Sequence, residues 1–376
     1  IGGNYGLAGQ VLTSNNAGSA VIWANVGAGS STIDIISSST SATYYPVFVD
    51  STGSAKTLFA DDTAPAFSFN PSSGDFNLAN TIKVTQSQLS IGQSAGQSTQ
   101  GQQAVAIGYL AGQYSQNSST VAIGNNTARL YQATRAVAIG ASAGYSNQQS
   151  YAVAIGNGAG EISQGSNSVA IGREAAREQQ NGEAVAIGYY AGNNNQKGGA
   201  IAIGRSAGQS SQQAGAVAIG NMTGSNTQRS YAVAIGIWAG HVNQYASAVA
   251  VGSWAGNTSQ GENSVAIGNN TARTNQATRA VAIGAYAGNS AQGTYGVAIG
   301  NNAGKTSQGS NAVAIGNLAG ETSQTAGSIA INASGVALNP VVAGFHVKPV
   351  RGVAHGLGVG VMKYDSATGE ITYSTT

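Results

Sequence analysis

The chain repeats itself every 16 residues, and this period constrains its fold more than any other feature. The tetrapeptide Val-Ala-Ile-Gly, or a close variant, recurs through residues 89–332 without an insertion or deletion, and its glycine sets the register. A short fixed period indicates stacked structural units that contact only their neighbours. After Gly92, the register glycines, which we interpret as turn residues, are Gly108, Gly124, Gly140, Gly156, Gly172, Gly188, Gly204, Gly220, Gly236, Gly252, Gly268, Gly284, Gly300 and Gly316.

Each unit has the pattern of one coil of a β-solenoid. Val and Ile alternate with Ala, which is the two-residue period of a strand with one buried face. The glycine then turns the chain, and a polar stretch returns it, so we expect two short strands and two turns per coil. Sixteen coils at about 4.8 Å would make a rod of about 75 Å. Asn332 takes the glycine slot of the last unit, and we expect left-handed backbone geometry there.

A glutamine stands eight residues after every register glycine. Identical amides stacked one per coil can donate and accept along the axis, so the pattern predicts a buried hydrogen-bond ladder and not a binding site. The column consists of Gln100, Gln116, Gln132, Gln148, Gln164, Gln180, Gln196, Gln212, Gln228, Gln244, Gln260, Gln276, Gln292, Gln308 and Gln324.

The flanks lose the period and define the domain organisation. Residues 1–88 contain three of the five prolines, and short apolar runs there predict an N-terminal β domain or shaft. Residues 89–332 form the solenoid and contain no proline, as a ladder paired on both sides requires. Residues 333–376 are expected to form a C-terminal β cap, with a hairpin of 361–364 and 370–373. A cap would cover the open strand edge at the end of the solenoid.

Composition excludes several classes of function. Charged residues make up 7% and the formal net charge is +2, so nothing favours nucleic acid or an anionic membrane surface. No apolar run approaches the roughly 20 residues of a membrane-spanning helix. Hydrophobic residues reach 41%, which argues against disorder. The absence of cysteine excludes disulfides and thiolate metal sites.

Catalytic and metal-binding patterns are not found in the sequence. Aspartate is absent between residues 76 and 364, so the Asp-bearing calcium repeats of some β-helices cannot occur. The three histidines, His241, His346 and His355, have no local metal-ligand spacing. We therefore expect no enzyme activity, no cofactor and no metal site.

The best candidate binding residues are aromatic and stand two residues after a register glycine. Trp238 and Trp254 lie one coil apart, so their rings should stack about 5 Å from each other. With Tyr286 in the same column, they could lie against sugar rings and bind a cell-surface glycan. The alternative is that this column packs against a neighbouring protomer.

A single chain of such coils would have a thin core, because one coil offers only Val, Ile and Ala as apolar side chains. Burying a second surface against identical chains would remedy this, and a parallel homotrimer around a three-fold axis does so. A monomeric solenoid remains open.

The repeat also resembles a known family. Asn-Ser-Val-Ala-Ile-Gly stands at 167–172 and 263–268, and this motif is typical of the head repeats of YadA-like trimeric autotransporter adhesins. The resemblance implies a left-handed β-roll assembled as a trimer over residues 89–332. The flanks are similar to phage and large-virus tail fibre proteins. The segments that carry this resemblance are residues 6–14 with 21–23, 344–351 and 364–373.

These observations favour an extracellular fibrous protein, such as a virion tail fibre or spike that projects and binds host glycans. One alternative is a subunit that polymerises end to end into an extracellular filament. Others are the head of a bacterial surface adhesin and, last, an enzyme that degrades polysaccharide. Self-association and a cell-surface glycan are the expected partners, without nucleic acid or membrane insertion.

Overall fold

A computed structural model describes residues 10–13, 22–25, 47–49, 58–60, 67–70, 75–78, 87–350, 361–365 and 367–374. These residues are all-β, with no helix among them. The chain divides into two compact units, residues 1–83 and residues 84–376.

The described strands of the first unit form three antiparallel hairpins, within the segment predicted as an N-terminal β domain. The apolar runs there pair side by side, as in Phe69 opposite Phe76. The hairpins are Gln10–Thr13 with Ile22–Asn25, Val47–Val49 with Leu58–Ala60, and Phe67–Asn70 with Asp75–Leu78.

Within the second unit, residues 88–332 form the predicted β-solenoid, and its coils of 16 residues stack in parallel. Its first sheet contains seventeen parallel strands, and nearly every strand pairs with the residues 16 positions away, as in Ala186 with Ala202. The strands are Gln88–Ile91, Ala104–Ile107, Val121–Ile123, Val137–Ile139, Val153–Ile155, Val169–Ile171, Val185–Ile187, Ile201–Ile203, Val217–Ile219, Val233–Ile235, Val249–Val251, Val265–Ile267, Val281–Ile283, Val297–Ile299, Val313–Ile315, Ser328–Asn332 and Gly344–Lys348.

A second set of parallel strands carries the glutamines on the opposite side of each coil. Isolated bridges, such as Gln116 to Gln132 and Asn194 to Ser210, continue the pairing between the regular strands. The strands are Ser98–Gln100, Tyr114–Gln116, Ile162–Gln164, Glu178–Gln180, Ser210–Gln212, Asn226–Gln228, Val242–Gln244, Thr258–Gln260, Thr274–Gln276 and Ser290–Gln292.

The interior contains Ala and Gln, whereas Val and Ile point outward. The strand Val185–Ile187 shows the pattern, because Ala186 is fully buried between two partly exposed neighbours. The space inside a coil is narrow: a Cβ added to Gly192 would lie 3.2 Å from the Cβ of Ala186 and 2.7 Å from Oε1 of Gln196. Small side chains line this interior, mostly Ala with Ser or Thr in some coils, so the core is thin.

Backbone hydrogen bonds join each coil to both neighbours. In the coil that begins at Gly204, the N–H of Ser206 donates to the preceding coil at 2.8 Å, and the N–H of Gly208 donates to the following coil at 2.9 Å. Turns close with a bond inside the coil, such as Ala207 N–H to the Gly204 carbonyl at 3.3 Å. The ladder therefore satisfies backbone groups of the turns as well as those of the strands.

The segment after the last coil covers part of its end. The carbonyl of Leu338 accepts the N–H of Gly320 at 2.7 Å, and the Leu338 side chain packs on the buried Ala cluster. The strand Gly344–Lys348 adds to the first sheet, and a hairpin of Val361–Tyr364 with Ile371–Ser374 follows.

The expectation of left-handed geometry at Asn332 is wrong. Asn332 is the last residue of the strand Ser328–Asn332, pairs with Lys348, and is not among the residues with positive φ. The chain leaves the solenoid there as extended strand, so the turn that the register glycines make is not needed. Its side chain instead donates to the carbonyls of Asn317 and Val336, at 2.8 and 2.7 Å.

Candidate functional site

The glutamine column is an internal hydrogen-bond ladder. The side chain of Gln212 is fully buried. Its Nε2 donates to the carbonyl of Ile201 at 2.8 Å and to Oε1 of Gln228 at 3.1 Å, and its Oε1 accepts from Gln196 at 3.0 Å. Twelve of the fourteen steps between successive glutamines carry this amide–amide bond. Because the amides satisfy one another, they offer no groups to a ligand.

The ladder weakens where alanine replaces glycine four residues after the register glycine. Ala128, Ala176 and Ala272 adopt φ of 46°, 48° and 45°. A Cβ added to Gly192, which occupies this position in another coil, would lie 2.7 Å from Oε1 of Gln196, so we infer that an alanine here crowds the amide. The ladder bond into the coil of Ala128 is 3.3 Å, and that into the coil of Ala176 is 3.2 Å. In the coil of Ala272 the bond is lost, and Oε1 of Gln276 is buried without a partner. Oε1 of Gln116 also has no partner, although its coil has Gly112 at this position, so alanine is not the sole cause of a lost ladder bond.

The register glycines form a backbone-to-backbone contact and not a phosphate cradle. Gly204 has φ of 122°, and a Cβ added there would lie 2.5 Å from the carbonyl oxygen of Gly220 in the next coil. The same contact repeats along the column, so successive coils approach at these turns more closely than any side chain permits.

The two tryptophans stack on each other. The ring centroids of Trp238 and Trp254 are 5.1 Å apart, and the ring planes differ by 5°. Both side chains are half-buried, and both residues have φ of 61°, a left-handed conformation at the turn. The stack follows from the period, because residues 16 apart in this column face each other across one coil spacing.

Other side chains cover the stack at both ends. The guanidinium of Arg273, from the following coil, lies 4.8 Å from the centroid of Trp254. The ring of His241 meets Trp238 edge to face at 4.3 Å. Trp254 therefore has Trp238 against one face and a cation over the ring, which favours packing over sugar stacking at this residue. The glycan-binding role of both tryptophans stays a prediction.

Tyr286 is the most accessible of the three aromatic candidates. It lies two coils beyond Trp254, with Asn270 between them in the column, and its side chain is 41% exposed. Nζ of Lys305 lies 6.0 Å from its ring centroid. The structure thus brings the two tryptophans together and leaves Tyr286 separate from them.

Burial lowers the pKa of His241 below its usual range, although a backbone hydrogen bond acts in the opposite direction. Its Nδ1 lies 3.0 Å from the carbonyl oxygen of Met222 and 2.7 Å from Oγ of Ser225. In other coils an asparagine takes the same position and donates to the equivalent carbonyl, as Asn257 does to Trp238 at 2.9 Å. The fold therefore favours the neutral imidazole.

A second surface feature is an apolar sheet face that sequence reasoning did not locate. We call it the Val/Ile face: the outward Val and Ile side chains of the first sheet, from Val105 to Ile331. Its Ile side chains are about one-third exposed, as in Ile267 at 38% and Ile283 at 37%. Alternation alone shows that a strand has two different faces, but not which one points inward.

Arginine and tyrosine pair repeatedly across one coil. In five cases a guanidinium lies 4.3–5.9 Å from the centroid of a tyrosine 16 residues later in the chain. Such contacts are cation–π interactions, worth roughly 0.5–1 kcal/mol at exposed sites. The 16-residue period alone could have identified these pairs, which are Arg129–Tyr145, Arg135–Tyr151, Arg173–Tyr189, Arg229–Tyr245 and Arg279–Tyr295.

Neither a metal-binding cluster nor a membrane-spanning helix is found among the described residues. They include no cluster of three or more His, Cys, Asp or Glu side chains that could hold a metal ion. Within the same residues, no helix has the length and apolar character needed to cross a lipid bilayer.

Comparison of the chain with protein-family models, with curated proteins and with solved structures found no match. The likeness to YadA-like heads and to tail fibres therefore rests on the sequence motifs quoted above.

Proposed function

We propose that this chain is the rod of an extracellular fibrous protein, a virion tail fibre or spike with a structural and adhesive role. The observation that carries the proposal is the Val/Ile face on an unbroken sheet of seventeen strands. A rod whose one sheet face is apolar along its length is suited to side-by-side association with copies of itself. A parallel homotrimer buries one such face from each copy around a common axis.

The size of the face supports association. Full burial of an Ile side chain contributes about 1.5–3 kcal/mol, so the exposed third contributes about 0.5–1 kcal/mol per coil, or about 10 kcal/mol over the Ile column. The Val column adds to this. Association costs about 4–15 kcal/mol in lost freedom, so burial of the Ile and Val columns together is of the size that an oligomer needs.

The test is the mass of the native protein by light scattering, with Ile267→Lys on the Val/Ile face as the perturbation. We expect about three chains for the wild type and dissociation for the variant, because the charge would be buried against a neighbour. The matched control is Ile162→Lys, on the glutamine side of the solenoid, where Ile162 is 41% exposed. A wild-type mass of one chain would refute self-association through this face.

Adhesion to a glycan is the second part of the proposal. It is supported by the exposure of Tyr286 and by the fibre-like flanks. Glycan-array binding should fall with Tyr286→Ala, while Trp254→Ala tests the covered stack. If neither variant changes glycan binding, the glycan binds at a site that does not depend on Tyr286 or Trp254.

A filament subunit is the alternative with a structural observation in its favour. The strand Gln88–Ile91 is the first of the solenoid sheet, and Gly344–Lys348 is the last, so each has one neighbour in that sheet. Such edges can pair end to end. Negative-stain images separate the two: rods of uniform length support the fibre, and rods of indefinite length support the filament.

A further inference from the structure

The Val/Ile face cannot by itself fix the axial position of one copy against another. Every coil presents nearly the same Val and Ile side chains, so a slip of one coil, about 4.8 Å, sacrifices only the contacts of the terminal coil. An assembly with a defined register therefore needs a feature that occurs once.

Such a feature lies where the face ends. The strand Gly344–Lys348 extends the first sheet by one strand, and Phe345 stands opposite Ile329, in place of the Val of a further coil. Phe345 is 55% exposed, more than the Ile side chains of the face, which lie at 36–39% in most coils. The repeat is thus broken by a large aromatic side chain in the plane of the face.

Next to Phe345 is an apolar cavity of about 670 Å³. Its lining includes Ile329 and Phe345 of the sheet, and Lys363, Tyr364 and Ile371 of the C-terminal hairpin. Tyr364 is 68% exposed and Ile371 is 52% exposed, so these side chains also lack cover within the chain.

We propose that this cavity receives the Phe345 side chain of a neighbouring copy, and that this contact fixes the axial register of the assembly. The cavity is continuous with the Val/Ile face through Ile329, so a copy seated on the face reaches the cavity with its own C-terminal end. In a cyclic assembly each copy inserts its Phe345 into the cavity of one neighbour and accepts the Phe345 of another, which closes the ring. The inference rests on the proposed self-association through the Val/Ile face.

Disulfide trapping tests the register, because the chain contains no cysteine. Copies carrying Ile267→Cys and copies carrying Ile283→Cys, with tags of different size, are expressed together, and disulfide-linked pairs are counted on non-reducing gels. Ile267 and Ile283 are paired neighbours in adjacent coils. Cα atoms more than about 7 Å apart cannot be bridged, so a slip of one coil changes which cysteines can join. Val265→Cys with Val281→Cys provides the same test on the Val column of the face.

In the wild-type background we expect disulfides between two copies of the same cysteine variant (like pairs) to outnumber disulfides between an Ile267→Cys copy and an Ile283→Cys copy (mixed pairs). In Phe345→Ala we expect mixed pairs to rise to a yield comparable with like pairs, while the mass of the assembly is retained. The matched control is Val341→Ala, because Val341 is 82% exposed and lies outside the cavity lining.

Like pairs that persist in Phe345→Ala would overturn the register assignment and leave the proposed oligomer intact. A wild-type protein of single-chain mass, or one that forms no disulfides in either column, would instead overturn association through the face. Binding of the dye ANS to the assembled wild type, abolished by Tyr364→Ala, would show a cavity open to small apolar molecules and would also overturn the assignment.

Discussion

The glutamine ladder gives the sharpest stability prediction, through Gln212→Leu. Leu fills a similar volume, so the change removes hydrogen bonds without opening a large cavity. Oε1 of Gln228 loses its donor, while Nε2 of Gln196 loses one of three acceptors and keeps the carbonyls of Val185 and Ala200. An orphaned buried acceptor costs about 1–3 kcal/mol, and each further lost bond costs about 1 kcal/mol.

Burial of the Leu side chain offsets part of this cost, by about 2 kcal/mol. Besides the bond to Gln228, three bonds are lost, from Gln196 and to the carbonyls of Ile201 and Ala216. The net loss in the free energy of unfolding is therefore about 2–4 kcal/mol for Gln212→Leu. The matched control is Gln213→Leu at the next residue, where the side chain is half-exposed. The control should stay within about 0.5 kcal/mol of the wild type, as surface substitutions usually do.

Guanidinium unfolding followed by circular dichroism measures both variants, and a double substitution makes the test specific. In Gln212→Leu with Gln228→Leu, the orphaned acceptor at position 228 no longer exists. The double variant should thus lose about 1–3 kcal/mol less than the sum of the two single variants. Additive losses, or a Gln212→Leu variant as stable as its control, would refute the idea that the amides depend on one another.

Three further predictions concern the turns and use the same unfolding assay. Gly204→Ala should lower the free energy of unfolding by about 3 kcal/mol or more, because the added Cβ meets the backbone of the next coil. The control is Gly199→Ala, where no atom lies within 4 Å of the added Cβ. It should lose only about 1–2 kcal/mol, the cost of a left-handed conformation for a residue with a Cβ. Ala272→Gly should stabilise the protein by about 1 kcal/mol by relieving that penalty, and the lost ladder bond should form; an unchanged midpoint would contradict the crowding argument. Because the folded-state pKa of His241 is lowered, its contribution to stability is present above the unfolded value of about 6.5 and is lost as pH falls below it. His241→Asn should weaken this pH dependence below pH 6.5, and an identical pH profile would show that His241 does not contribute.

The period allowed much of the fold to be predicted. A glutamine at every sixteenth position can only stack on its equivalents, and the 5.1 Å spacing of Trp238 and Trp254 follows from the same argument. The 16-residue period does not show which face of each strand points inward. Hydrophobicity favours burial of Val and Ile, but the narrow interior is lined by Ala, with Ser or Thr in some coils, beside the glutamine amides. That competition between side-chain size and hydrophobicity is settled by the distance between the two strands of a coil, which the sequence does not reveal.

The C-terminal end of the solenoid was harder to predict for a related reason. Asn332 takes the glycine position by count, yet the turn that defines this position needs a following coil. After the last coil there is no further coil to stack on, so nothing requires the glycine-type turn at this position. The cavity beside Phe345 arises from contacts between segments without a repeat, so no periodic argument could indicate it.

The backbone ladder has a mechanical consequence for a rod of this kind. Sixteen residues occupy about 4.8 Å of axis when coiled but reach about 53–58 Å when pulled straight. Detaching a terminal coil under tension therefore lengthens the molecule about tenfold locally, while the coils behind it keep their hydrogen bonds because each contacts only its neighbours. A tethered particle held by such a rod would dissipate a sudden pull by uncoiling from one end, and the stack would provide the template on which the released coil could wind back.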